Sequence, residues 1–133
     1  MADVVADTHA FVWYVTERDR LSLTALRALD QAAATGGVVF VSAVSLVEIT
    51  YLTEKGRLPS AVSERIDHEM KNPDVAFRIA PLDENIARAV AAVAREKVPD
   101  MPDRIIAATA LHLGVPLVTR DGRIRTSGIE TIW

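Results

Sequence analysis

The chain has 133 residues, half of them hydrophobic, with a mean hydropathy of +0.17. That length predicts one domain spanning residues 1–133 with a real core, and the composition excludes an extended disordered tail. The absence of cysteine excludes disulfide frameworks, thiolate metal sites and cysteine nucleophiles and favours a cytoplasmic setting, while a net charge of −3 gives no overall attraction for nucleic acid.

The first ten residues, MADVVADTHA, lack a basic region, and Asp3 and Asp7 break their apolar run, so they do not read as a signal peptide. No apolar stretch is long enough to span a bilayer, so no membrane association is expected. Residues 3–6 read as a short strand and Thr8 to Val15 as a first helix. The polar segment TERDRLS follows as a loop, and residues 24–34 show helical periodicity that stops at Gly36-Gly37. VVFVS (38–42) is β-branched and short, a buried strand. Residues 44–55 predict a helix ending at Gly56, and Pro59 to about Met70 a further amphipathic one. VAFRIA (75–80) reads as a strand, and Asp83 or Glu84 opens a helix to about Lys97. PDMPDRIIAATALHLG (99–114) is a buried helix entered through a proline-punctuated loop and closed by Gly114. Pro102 disfavours the helical conformation at Met101 and puts Asp100 in that loop. VPLVT (115–119) is a strand, RDGR a turn, and IETIW (129–133) a last short strand. Strands alternating with helices predict an α/β fold with a short, mainly parallel central sheet.

Four acids hold similar places in this pattern. Asp7 follows the first strand, Glu48 lies early in the helix after VVFVS, Asp103 stands in the first turn of the buried helix, and Asp121 follows PLVT. In an open parallel sheet, ligands gather beyond the carboxyl ends of the strands, and all four acids could meet there. Each also has a structural account. Asp7 can cap the first helix, Ser45-x-x-Glu48 has the pattern of a capping box, Asp103 complements a helix dipole beside Pro102, and Asp121-Gly122 is a turn dipeptide. If the four converge, their repulsion needs a compensating cation. Carboxylate oxygens suit Mg²⁺ or Mn²⁺, which can activate water for attack on a phosphodiester. No glycine-rich phosphate loop is present, and no histidine has zinc spacing. His9, two residues from Asp7, could support the site from behind, whereas Trp13 reads as core. Arg120, Arg123 and Arg125 flank Asp121, and Lys55 and Arg57 follow the Glu48 helix. These are the local cations that could hold RNA phosphates, and solvated surface charge explains them equally well.

The segments VADTHAFVWYV, VSAVSLVEI, DMPDRIIAATALHLGVPLVTRD and ETIW, in this order and spacing, resemble the PIN-domain ribonucleases, specifically the VapC toxins of type II toxin–antitoxin systems. The resemblance covers nearly the whole chain. It implies a three-layer αβα sandwich and an Mg²⁺- or Mn²⁺-dependent endoribonuclease. It also implies a homodimer, and a cognate VapB-like antitoxin as partner. By the same resemblance Asp7, Glu48, Asp103 and Asp121 are the catalytic, metal-holding acids, Asp100 is a further acid of the subgroup, and Thr119 is a hydroxyl residue beside the site. One departure is Pro102, where the subgroup often carries Phe. Rival readings are a PIN-like nuclease with another task in RNA processing or on DNA, a phosphoacceptor receiver module and a non-catalytic interaction domain. The receiver would need a lysine after a late strand, and VTRD supplies none.

Overall fold

Val4, Val5 and Ala6 make β1 (Val4–Ala6), fully buried and apolar on both faces, as a central strand of a covered parallel sheet must be. The computed structural model describes residues 2–133. Around β1 lie β2 (Val39–Ser42), β3 (Phe77–Ala80), β4 (Leu117–Val118) and β5 (Thr131–Ile132), in a five-stranded sheet of order β3-β2-β1-β4-β5. Every pairing is parallel, with Val5 facing Phe40 on one side and Leu117 on the other.

Alternation along the strands sends side chains to opposite faces and builds two cores. Val4, Ala6, Val39, Val41 and Val118 pack with α1 (Thr8–Thr16), α2 (Leu23–Ala34) and α4 (Ser60–Lys71). Val5 and Leu117 pack on the other face with α5 (Glu84–Ala89), α6 (Met101–Leu113) and α7 (Gly122–Arg125). The helix α3 (Ala43–Glu54) sits at the seam, giving Ile49 to the first core and Val44 to the second. This is the expected three-layer α/β sandwich.

Most boundaries fall within a residue or two of those read from the sequence, and four local expectations fail. The helix expected from 83 to 97 ends at Ala89 and passes through a 3₁₀ turn at Val90–Ala92 into irregular chain. Arg104 holds this irregular path, its guanidinium donating to the carbonyls of Val90 and Val93. Carbonyls left free at a helix end are satisfied by such a side-chain donor. Asp100 is no loose loop residue. It is the N-cap of α6, accepting from the Asp103 backbone N–H at 3.1 Å, and Met101 and Pro102 already lie inside the helix. The segment after Asp121 is a short helix, α7, rather than a simple turn. Finally, Ser45-x-x-Glu48 is no capping box: Ser42 caps α3, while Ser45 and Glu48 turn towards α1. At the far end of α6, Gly114 takes φ +68, the left-handed turn that ends the helix cheaply without a Cβ.

Candidate active site

In chain order β1, β2 and β3 step to one side of the sheet, and the chain then returns to place β4 on the other side of β1. The crevice between the carboxyl ends of β1 and β4 is therefore the point where the topology reverses. Asp7 follows β1 there, and Thr119 to Asp121 follow β4. The neighbouring helices α3 and α6 supply Glu48, Asp100 and Asp103. A cavity of about 410 Å³ opens at this point, lined by Asp7, Glu48, Asp100, Asp103 and Asp121 with Thr8, His9, Trp13, Arg120 and Trp133. The convergence that the strand-end pattern allowed is present.

Each acid is held differently. Asp7, 8% exposed, caps α1 by accepting from the Ala10 N–H at 2.8 Å and receives the Thr119 hydroxyl on its other oxygen. The same Thr119 oxygen accepts from the Asp121 N–H at 3.0 Å, so one buried hydroxyl ties the end of β1 to the turn after β4. Asp121 in turn caps α7 through the N–H groups of Arg123 and Ile124. Glu48 accepts the Thr8 hydroxyl at 2.6 Å, and Ser45 Oγ lies 2.8 Å from that hydroxyl. The Asp103 carboxylate enters none of the side-chain hydrogen bonds found among the described residues; only its backbone N–H is engaged, by Asp100.

The electrostatics follow from this crowding. Burial pushes the Asp103 carboxyl up to about 7, and the charges of Asp100, Asp121, Glu48 and Asp7 push in the same direction. Asp7 is also raised, chiefly by burial, against the opposing effects of the Thr119 and Ala10 hydrogen bonds and of His9. Burial raises Glu48 too, with Thr8 opposing and Asp100 adding. An assembly of oxygen donors that resists carrying its own negative charge fits a hard divalent cation in donor type and charge. Its spacing is open: among the described residues no three His, Asp or Glu side chains are close enough to hold one ion as they stand.

The model of the PIN domain matches residues 4–128. The chain belongs to the PIN domain family. Ribonuclease VapC22 of Mycobacterium tuberculosis is 29% identical over 126 residues, covering 95% of this chain and 92% of that protein. Among solved structures, VapBC2 from Rickettsia felis, bound to a promoter DNA fragment, gives a TM-score of 0.73 at 14% identity, covering 97% of this chain and 96% of that one. The M. tuberculosis toxin VapC20, described as cleaving the sarcin-ricin loop, gives 0.64 at 18% identity, covering 95% of each chain. At such identities these two establish the PIN domain fold.

Within this PIN domain the remaining sequence candidates separate. His9 is exposed and lines the cavity, its ring 5.7 Å from that of Trp13, and its charge opposes the raising of Asp7 and Glu48. Arg120 lines the cavity, whereas Arg123 and Arg125 are exposed on α7 outside its lining. Lys55 lies over the Tyr51 ring, and Arg57 borders a second cavity between α1 and α4. Sequence reasoning missed Thr8, which holds Glu48, and Trp133, which walls the site. The placement of Thr8 beside Asp7 was a usable signal, because a helix that begins at the site carries its first hydroxyl there. For Trp133 the signal was its place in ETIW, one of the segments that carry the resemblance.

Proposed function

We propose that this PIN domain, over residues 1–133, is an endoribonuclease of the VapC toxin kind, acting in the cytoplasm. The observation that carries the reading is the gathering of Asp7, Glu48, Asp103 and Asp121 from four elements into one cavity at the sheet's carboxyl edge, in a chain that belongs to this family. The relatedness to a ribonuclease along nearly its whole length supports RNA as the substrate. Asp7, Asp103, Asp121 and Glu48, with Asp100 beside them, would hold Mg²⁺ or Mn²⁺ after rotating inward. The cation supplies charge neutralisation for a phosphodiester and an acidified water. The chain's own part is to hold the acids. Thr119 fixes Asp7 against Asp121, Thr8 fixes Glu48, and the buried body of α6 fixes Asp103.

The partners follow from the same reading. Structural neighbours crystallised as VapBC complexes support a VapB-like antitoxin. An apolar strip supports a homodimer: Val47 and Tyr51 lie one turn apart on α3, 65% and 53% exposed, with Met101 52% exposed at the start of α6. Arg120 in the cavity, with Arg123 and Arg125 exposed on α7 outside its lining, are the cations offered to RNA.

The test is cleavage of single-stranded and structured RNA, with DNA in parallel, in Mn²⁺ and in EDTA. RNA cleavage that requires the ion and is lost in Asp103→Asn is the expected result. Full activity in EDTA would remove the metal mechanism, and cleavage of DNA alone would remove the ribonuclease.

A further inference from the structure

We propose that Arg120, Trp13 and Arg20 form a subsite for single-stranded RNA that leads the strand from the acidic cavity over the α1 ridge into the neighbouring groove. This rests on the ribonuclease reading above and assigns the path of the substrate. Trp13 is only 5% exposed, yet it stands between two cavities. With Thr8 and His9 it walls both the acidic cavity and a second one of about 450 Å³, bounded by α1, α3 and α4. The Arg120 guanidinium carbon lies 5.0 Å from the indole centroid and that of Arg20 lies 4.5 Å from it. Arg120 borders the acidic cavity and Arg20 borders the second, so the two cations reach the same indole from the two chambers it divides.

A packed core has no use for two exposed cations gathered on one ring. Arg20 has only a weak pairing, with Glu17 at 3.7 Å and both side chains about half exposed. Arg120 enters none of the ion pairs among the described residues, and it is the single Lys or Arg lining the acidic cavity. The indole holds both guanidinium planes in place before any ligand arrives. A phosphodiester lying across the ridge would receive two forked donors, competing at Arg120 with the carboxylates that line the same cavity. The aromatic neighbours suit the rest of a nucleotide. Trp133 lies 6.1 Å from Trp13 and walls the cavity, and the His9 ring stands exposed on the rim. Flat rings beside guanidinium groups are the surface that unpaired bases and their phosphates recognise. Arg57, further along the second cavity, continues the track. Val12, Leu52, Leu58, Val62 and Glu17 also line the second cavity, but Arg120, Arg20 and Arg57 together span both chambers, which suits a polyanion, and RNA is the occupant.

The experiment titrates a labelled single-stranded RNA dodecamer against the full chain by fluorescence anisotropy in Ca²⁺, across a series of KCl concentrations. Cleavage kinetics are measured alongside in Mn²⁺. Arg20→Ala and Arg120→Ala should each weaken binding about fivefold to tenfold and flatten the salt slope by about 0.7, the value for one lost contact to a single strand. KM should rise more than kcat falls. Arg88→Ala, on the remote α5, should match the wild type. Arg20→Lys should keep the slope and lose part of the affinity, because charge remains while the stacked plane is lost; circular dichroism checks the fold of each variant. Wild-type affinity and slope in Arg20→Ala would overturn the subsite, as would failure of the wild type to bind the dodecamer at all. Loss of binding to a protein antitoxin with an unchanged RNA slope would assign the ridge to that partner and overturn it equally. RNA binding that depends on Arg20 and Arg120, without any RNA cleavage by the wild type, would support the subsite and refute the ribonuclease.

Discussion

Asp100 and Asp103, three residues apart at the start of α6, divide two tasks that one acid is often asked to share. Asp100 accepts the Asp103 N–H and starts the helix; Asp103 makes no such bond, and its carboxyl, raised to about 7, faces the other acids. Asparagine keeps the size of the side chain and caps nearly as well as aspartate. Asp103→Asn should therefore leave the circular dichroism spectrum intact and lower RNA cleavage about a hundredfold or more, as loss of charge stabilisation at a reacting centre does. Asp100→Asn should cost much less, and a fully active Asp103→Asn chain would return that acid to a structural role. Thr119 offers a second test at this scale. Its hydroxyl opposes the effect of burial on Asp7, so Thr119→Val should raise the Asp7 pKa further. The acidic limb of the cleavage–pH profile should then move to higher pH, and an unmoved limb would show that Asp7 does not govern it. Asp7 also shows why the two accounts of each acid could not be separated by pattern. It is the N-cap of α1 and a wall of the cavity at once, because a helix that begins at the sheet's carboxyl edge begins at the site.

At the scale of elements, the strands, their order of appearance and most helices were legible because the sheet is buried on both faces and announces itself in apolar runs. What stayed hidden depends on contacts distant in sequence. Residues 90–94, VAAVA, have nothing local that stops a helix, and the guanidinium that satisfies the carbonyls of Val90 and Val93 comes from Arg104. The Ser45–Glu48 pair matched a local capping pattern, but Thr8, some forty residues away, takes both side chains. The acids themselves could be placed at strand ends; their shared cavity needed the sheet order. Arg104→Ala tests the first of these contacts. It removes charged donors from two partly buried carbonyls, a loss of about 2 kcal/mol, and should lower Tm by roughly 8 °C. Hydrogen exchange should quicken first between residues 90 and 98, and an unchanged Tm would mean that the turn holds itself.

For the whole molecule, the crowded acids set how stability depends on pH. The Asp103 pKa is raised from 3.8 in the ordinary state to about 7 in the fold, and Asp7 and Glu48 are raised as well. The folded chain then keeps protons that the unfolded chain has released. The stability these groups allow is present in full below the ordinary value and is lost as pH climbs towards the folded one. Without metal the chain should therefore lose stability between pH ~4 and ~7, and saturating Mn²⁺ should raise Tm more at pH ~8 than at pH ~5.5. Equal gains at the two pH values, read from thermal melts in EDTA and in Mn²⁺, would contradict a carboxylate-held ion. The sheet order has one more consequence, for the time at which the molecule becomes whole. Of the five strands β1 is made first, but it is the middle strand, and its neighbour β4 begins only at Leu117. A nascent chain can pair β1 with β2 and pack α1 and α2 early, yet one edge of its central strand stays bare until Leu117 and Val118 are made. Asp121 arrives just after them, and so does Thr119, the hydroxyl that fixes Asp7. A fragment that stops before that point carries Asp7, Glu48 and Asp103 without the strand that brings Asp121 to them, so the acidic cavity closes only once β4 has joined the sheet.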